Sequence, residues 1–106
     1  EALQPKLVKI LETGFANHNM DNMSQVMRDI LNYHNTPEEA AAQAAAAGAR
    51  ELVLNHIVPP LPLRFAYPAF LGDAAAFYDR PITVGEDGML FSLPANSTSI
   101  DHKRLY

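Results

Sequence analysis

The sequence contains no cysteine, which excludes a disulfide framework and a thiolate metal cage, so any metal would need histidine and carboxylate ligands. It also lacks a basic excess, since eight Lys and Arg face twelve Asp and Glu and no basic stripe with interleaved aromatics occurs. This balance argues against nucleic-acid binding by a charge-neutralising surface of this segment. No apolar run approaches the roughly 20 residues of a membrane span, and no charged-then-apolar leader opens the chain. We therefore predict a soluble protein, with the cytoplasm as the favoured compartment.

The size and composition of the chain suit one small domain. Of its 106 residues 48% are hydrophobic, which allows a core of its own. There is neither an internal repeat nor a second domain, so we predict one unit over residues 1–106 with a polar, loosely held tail at 95–106. The first residues, "EALQP", include no Met, which is compatible with a cut point.

Two helical patterns occupy the first third of the chain. Pro5 suits a first helical turn, and apolar residues at helical spacing behind it predict a helix from about residue 4 to 16, with Gly14 as a weak point. In the next segment, "DNMSQVMRDILNYH", the apolar residues form one stripe, which predicts a helix that buries one face. The stripe comprises Met23, Val26, Met27, Ile30 and Leu31.

The stretch "NTPEEAAAQAAAAGAR" carries the clearest local signals. Thr36 is a helix N-cap, Pro37 suits the first helical position, and the two glutamates that follow lie at the positive end of the helix dipole. Gly48 is placed to end the helix, which is predicted over 37–47. Because alanine has little side-chain bulk, close packing against a sheet or another helix is favoured over a surface position.

An apolar strand is expected directly after this helix. The segment "ELVLNH" has the length and composition of a buried strand, and the order helix then strand indicates an α/β architecture. The prolines from Pro59 through Pro62 predict a stiff loop, which either covers a site or contacts a partner. We predict a short helix from about 68 to 78, and two short strands joined by a turn in "PITVGEDGMLFSLP".

Two histidines are candidates for chemistry. Alternation along the predicted strand places Leu52, Leu54 and His56 on one face, with His56 near the carboxyl end of the strand, where α/β sheets usually bind ligands. The alternative is a histidine hydrogen-bonded at a strand terminus without further role. His34 lies in the joint between two helices, two residues before the N-cap, and the alternative is an ordinary loop histidine.

Other polar residues rank lower as candidates. Glu86 and Asp87 are adjacent in a tight turn and should point apart, which favours a solvated turn over an acid pair. Asp29 could orient His34, but a solvent-facing position is favoured. The "NST" pattern at Asn96 matters as a glycosylation site only in a secreted eukaryotic protein.

The stretch "RDILNYHNTPEEAAAQAAAAGARELVLNHIVPPLP" resembles the C-terminal part of metallo-β-lactamase-fold hydrolases. It is most similar to the branch that includes ribonuclease Z and related phosphodiesterases and arylsulfatases. In that branch a joint carrying His and Ser or Thr precedes an Ala-rich helix, and the strand that follows ends in a metal-binding histidine. The closing "VGEDGMLFSLP" resembles the last strand pair of these enzymes, so the resemblance covers most of residues 1–94.

The resemblance implies roles for individual residues. His56 matches the ligand on the last metal-binding strand, where a neutral imidazole binds zinc. His34 matches the histidine beside the scissile phosphate, suited to steadying charge or donating a proton. Glu1 and Ala2 resemble residues just beyond the strand that supplies the metal-bridging aspartate, which is therefore expected before Glu1.

The sequence departs from this family in one large respect. The main signature, His-x-His-x-Asp-His, provides most ligands for two metals in the N-terminal half, and nothing like it occurs here. The segment "HNMD", from His18 to Asp21, has the wrong spacing. A zinc site needs three or four protein ligands, so we expect that the two zinc ions of a complete family member are not held by this chain alone.

We therefore predict an α/β fold, the C-terminal half of a four-layer αβ/βα sandwich that is incomplete on its own, with about four helices and three strands. The expected function is that of a segment of a zinc-dependent hydrolase of phosphodiester or similar ester bonds, inactive alone, with His56 holding metal and His34 assisting catalysis. Its partner would be the N-terminal half of the same fold. Nucleic acid would enter only as a substrate of the complete enzyme, and no membrane is involved.

A non-catalytic, freestanding module is the alternative function. Half of a sandwich would present a large apolar surface, and such surfaces usually mark an interface. In this hypothesis the chain covers that surface with a second copy of itself or with a protein partner.

Overall fold

The protein is described by a computed structural model that covers residues 2–18, 20–31, 34–61 and 64–106, without the side chain of Ile30. It is a mixed α/β structure, as the order of sequence patterns predicts. The elements are β1 (Ala2–Leu3), α1 (Pro5–Asn17), α2 (Asp21–Ile30), α3 (Pro37–Ala47), β2 (Leu52–Leu54), β3 (Ile57–Val58), α4 (Tyr67–Leu71), β4 (Ile82–Val84), β5 (Met89–Ser92) and β6 (Asp101–Arg104). Short 3₁₀ turns occur at Arg64–Ala66 and Ala74–Ala76. The expectations for Glu1 and Pro62 lie outside the described residues.

Helices α1 and α2 form a hairpin that buries less than the sequence predicts. The prediction of α1 is confirmed, and its first turn is capped by the side chain of Gln4, which accepts a hydrogen bond from the Lys6 backbone amide at 3.2 Å. The expectation that the apolar stripe of α2 is buried is wrong, because Met23 is 40% exposed and Val26 is 45% exposed. The reason is that α2 packs chiefly on α1, so only the side that faces α1 is covered.

Helix α3 confirms its predicted bounds and both of its end signals. The Thr36 hydroxyl accepts a hydrogen bond from the Glu39 backbone amide at 3.1 Å, and Gly48 ends the helix with φ 67°, a left-handed conformation that favours glycine. The predicted close packing is confirmed as well, since Ala41 is fully buried and Ala44 nearly so. Small side chains let this helix lie directly over the strands and the turn that follows α4.

The strand predicted from residue 51 to 56 is interrupted in the structure. β2 ends at Leu54 and pairs in parallel with β4, whereas β3 begins at Ile57 and pairs in parallel with β1. Between them His56 adopts a left-handed φ of 48°. The expectation that Leu54 and His56 share one face is therefore wrong, because Leu54 is buried and His56 is exposed. The left-handed turn redirects the chain and ends the alternation of side chains.

The segment after the proline-rich loop is less regular than predicted. The helix expected from about 68 to 78 is divided at Gly72, whose φ of 56° and ψ of −126° end α4. A 3₁₀ turn, Ala74–Ala76, follows the break. The proline-rich loop itself includes the other 3₁₀ turn, Arg64–Ala66, just before α4.

The two strands predicted in "PITVGEDGMLFSLP" exist, but they do not pair with each other. β4 joins β2, and β5 pairs in antiparallel fashion with β6. The expectation of a loosely held tail is thus wrong for Asp101–Arg104. The polar side chains suggested a loose segment, but the backbone of β6 is hydrogen-bonded to that of β5. The ring of Tyr106, just after β6, lies over Gly88.

The main core joins both parallel strand pairs to the helices. Gln4 is buried beside it and donates from Nε2 to the Phe70 carbonyl at 2.9 Å, while its backbone amide donates to the Val58 carbonyl at 3.0 Å. This side chain therefore fixes the first strand to α4. The buried members of the core are Ala2, Ala40, Leu54, Phe70 and Val84. In the described residues, no helix is both long and apolar enough to cross a membrane.

Candidate functional site

The candidate site lies at the carboxyl ends of the parallel pair β2 and β4. Leu54 and Val84 are neighbours in the register of this pair, and His56 and Glu86 each follow two residues later. Ligands of α/β proteins bind at this end of parallel strands, where the chain leaves the sheet and side chains converge. The strand pair therefore delivers an imidazole and a carboxylate to one edge.

An open cavity of about 600 Å³ occupies this edge. Its apolar wall includes Ile57, Leu61 and Val84, and the core side of the cavity is continuous with the main cluster. Its polar lining is formed by His56, Arg64, Tyr67, Glu86, Asp87 and Arg104. The cavity thus combines an apolar base with several ionisable groups, the usual composition of a ligand site.

Glu86 connects three separate elements around the cavity. Its Oε1 accepts hydrogen bonds from Arg64 Nη2 at 2.9 Å and from Arg104 Nη1 at 3.3 Å. Its Oε2 accepts a hydrogen bond from the Tyr67 hydroxyl at 2.8 Å. Because these donors come from the loop after β3, from α4 and from β6, one carboxylate holds the cavity rim together. The expectation of a solvated turn is wrong for Glu86, although Asp87 beside it is exposed.

These contacts shift the ionisation of the groups that make them. Hydrogen bonds from Arg64, and then from Tyr67, lower the pKa of Glu86 below its usual value of 4.5. The same bond raises the pKa of Arg64. Desolvation, followed by the hydrogen bond to Glu86, raises the pKa of the Tyr67 phenol. At neutral pH the cluster is therefore an ionised carboxylate held by two guanidinium groups and a neutral phenol.

We predict that Glu86 makes the stability of the protein depend on acid pH. Its lowered pKa means that the unfolded chain binds this proton more tightly than the folded chain does. The stabilisation is therefore complete above the usual glutamate pKa, and it is lost as the pH falls from there through the lower folded value. Urea unfolding of the wild type and of Glu86→Gln should show the wild type more stable at pH 7, with the difference shrinking towards pH 3. A constant difference over this range would contradict the assignment.

The structure places the two histidines singled out from the sequence next to each other. The rings of His34 and His56 are stacked, with centroids 6.2 Å apart and planes inclined by 16°. His34 is half-buried in the joint between α2 and α3, and His56 lies on the cavity lining. Asp29 is exposed and accepts a hydrogen bond from Gln25 Nε2 at 2.7 Å, which confirms the solvent-facing position.

The described residues do not by themselves fit a zinc ion. Within residues 2–18, 20–31, 34–61 and 64–106 there is no group of three or more His, Asp or Glu side chains that could hold a metal. Structural and catalytic zinc sites use at least three such ligands. The two stacked imidazoles are therefore at most part of a ligand set.

Sequence reasoning missed most of the polar cavity lining. Arg64, Tyr67 and Arg104 were not singled out, because nothing local to each residue shows that they meet at Glu86. His56 and Glu86 each lie two residues beyond the observed end of a strand, but the strand predicted over 51–56 included His56, so the sequence did not show this shared position.

Comparison with known proteins gives partial matches to one enzyme. No family model matches the chain. It is 40% identical over 67 residues to the ribonuclease Z of Mycolicibacterium gilvum, a match of 59% of this chain and 22% of that protein. The ribonucleases Z of Mycolicibacterium paratuberculosis and Mycobacterium avium are 54% and 51% identical over 37 residues, or 35% of this chain and 13% of each relative. The chain is therefore partly homologous to ribonuclease Z, a protein of the metallo-β-lactamase fold family, and spans only a small part of the length of these relatives.

Proposed function

We propose that this chain is the C-terminal segment of a zinc-dependent hydrolase that cleaves phosphodiester or similar ester bonds and that it is inactive alone. The observation that carries this proposal is the stacked pair His34 and His56, of which His56 lines an open cavity at the carboxyl ends of β2 and β4. The partial homology to ribonuclease Z supports a nuclease-like hydrolase. In the complete protein the chain would form the second half of a four-layer αβ/βα sandwich.

His56 is proposed as one zinc ligand of the complete enzyme. The described residues do not complete a zinc site, so the remaining ligands would come from the N-terminal half of the fold. The left-handed backbone at His56 supports this role because it turns the imidazole out of the strand and onto the cavity lining. A buried histidine in a regular strand could not reach a partner domain in this way.

His34 is proposed as the residue that acts on the substrate. Its imidazole stacks on that of His56, and an imidazole can donate a proton to a leaving oxygen or hydrogen-bond a charged phosphoryl oxygen. Its ring is half-buried and therefore restricted in orientation, as a proton donor must be. The two histidines would thus have different roles, with His56 on the metal and His34 on the leaving group or phosphoryl oxygen.

The test is complementation of the purified chain with a ribonuclease Z segment that carries the His-x-His-x-Asp-His signature. Alone, the chain should contain well below one zinc ion and should not hydrolyse bis(p-nitrophenyl) phosphate. The mixture should bind zinc and hydrolyse this substrate. The His56→Ala variant should lower the zinc content of the mixture, and it should lower the rate of hydrolysis by about 100-fold or more. His34→Ala should lower kcat by a similar factor at unchanged zinc content.

Two results would contradict this proposal. A mixture in which His56→Ala leaves both zinc content and hydrolysis unchanged rules out the metal role. A chain that binds stoichiometric zinc without the added segment contradicts the division of the ligands between two halves. His18→Ala is the matched control, because His18 is exposed at the end of α1, and it should change neither quantity.

A second candidate function, a non-catalytic module that self-associates, is favoured by exposed apolar side chains. Ile10 is 66% exposed, and Leu93 is 63% exposed. Large apolar groups in solvent suit an interface. Sedimentation of the purified chain separates the two proposals. A monomer at all concentrations that becomes active on complementation excludes the self-associating module. A stable dimer that is still inactive after complementation excludes the hydrolase segment.

A further inference from the structure

The cavity contains a pair of guanidinium groups that the roles of His34 and His56 do not use. Arg64 and Arg104 lie 40 residues apart in the sequence, on the loop before α4 and at the end of β6, yet both bind the same carboxylate oxygen of Glu86. Sharing one oxygen holds the two cations close together. Two positive charges of this kind repel, so their proximity depends on Glu86 between them.

Arg64 and Arg104 each have hydrogen-bond donors that do not contact Glu86. Each guanidinium has five N–H groups, and in the described part of the chain each donates from only one of its nitrogens to a protein acceptor. Glu86 accepts three hydrogen bonds, from the two guanidinium groups and from the Tyr67 phenol, and its charge offsets only one of the two cations. The remaining N–H groups lie on the lining of an open cavity, where the carboxylate of Asp87 offsets the second positive charge.

We propose that Arg64 and Arg104, clamped by Glu86, form a binding subsite for a phosphate group. Paired guanidinium groups match the geometry of phosphate oxygens, to which each can donate two parallel hydrogen bonds. This inference rests on the proposed function: the subsite would hold a phosphate adjacent to the one that is cleaved.

Charge on the cavity lining tunes this subsite. Asp87 also lines the cavity and is exposed, so its carboxylate repels a bound phosphate. Glu86 has the opposite effect, because without it the two guanidinium groups would separate. Removal of the Asp87 charge should therefore tighten phosphate binding, which gives a test in which the expected effect is a gain.

The experiment is a titration of the purified chain with sodium phosphate, followed by the NMR shifts of the backbone amides of residues 85–88. Sodium chloride at matched ionic strength is the reference. We expect saturable shifts with a Kd on the order of 1 mM, weakened about fivefold or more by Arg64→Gln and by Arg104→Gln. Asp87→Asn should tighten binding about twofold. Arg50→Gln is the matched control, because Arg50 donates to the Ser97 carbonyl and does not line the cavity.

Shifts no larger than those caused by chloride, or equal binding by the wild type and the Arg64→Gln/Arg104→Gln double variant, would overturn the subsite. Failure of Asp87→Asn to tighten binding would also count against it, and this variant is not expected to disturb folding. His56→Ala should retain phosphate binding while it abolishes hydrolysis in the complemented enzyme. If phosphate does not bind but the complemented enzyme shows zinc-dependent hydrolysis, the subsite is wrong and the proposed function is supported. If phosphate binds but no zinc-dependent hydrolysis occurs, the proposed function is wrong and the subsite is supported.

Discussion

Gly72→Ala should lower the free energy of unfolding by about 3 kcal/mol or more, because two independent costs add at this position. The backbone has φ 56° and ψ −126°, a conformation that residues with a Cβ atom rarely adopt. A Cβ atom would also overlap Glu38 Oε1 and lie 3.0 Å from Gln4 Nε2. Both side chains are already engaged, since Glu38 Oε1 accepts from the Asp73 amide at 3.1 Å and Gln4 donates to the Phe70 carbonyl.

The matched control for this change is Gly14→Ala in α1. A Cβ atom there would meet nothing within 4 Å, and the residue is helical, so alanine should raise the free energy of unfolding by about 0.5–1 kcal/mol. Urea unfolding followed by circular dichroism measures both variants. If the two substitutions destabilise to the same extent, the special geometry at Gly72 does not govern its effect.

Phe70→Ala should cost about 3–5 kcal/mol, the range for truncation of a fully buried phenylalanine. Phe70 has the largest fully buried side chain among the described residues and packs in the cluster that includes Leu54 and Val84. Truncation leaves a void beneath the strand ends from which His56 and Glu86 emerge. The same variant should therefore disturb the positions of His56 and Glu86 on the cavity lining as well as lower the stability of the fold.

Phe77→Ala removes the same atoms from a side chain that is 52% exposed, so it should change the free energy of unfolding by well under half as much. Chemical unfolding gives both values, and the Glu86 contacts can be followed separately by the acid dependence of stability. Equal losses for the two phenylalanines would show that the cluster around Phe70 is not the centre of stability.

The sequence was most informative where the determinants of structure are local. All the signals for α3 lie within a few residues of the helix ends, and Thr36 and Gly48 cap it as predicted. Near His56 the apolar pattern correctly indicated the end of a strand. The left-handed turn that exposes the imidazole could not be predicted from the sequence. Histidine tolerates this conformation without requiring it, unlike glycine, so the residue type gave no warning.

The rim of the cavity could not be predicted because its determinants are distant in sequence. Arg64 and Arg104 lie 22 and 18 residues from Glu86 and meet it only after β4 has paired with β2 and β6 with β5. Adjacent acidic residues in a turn are usually solvated, and Asp87 follows that rule. Glu86 departs from it because two cations and a phenol reach it from other elements.

The hydrogen bond between Gln4 and the Phe70 carbonyl also affects when β1 can fold during synthesis of the chain. It joins residues 66 positions apart, so the partner of Gln4 has not been synthesised when Gln4 leaves the ribosome. Ala2 packs in the cluster that contains Phe70 and Val84, so it is without these partners during that interval. Closing so long a loop is slow relative to forming α1 or α3. β1 therefore reaches its final position only after β3 and Phe70 have been synthesised, and until then Ala2 is exposed to solvent unless a chaperone covers it.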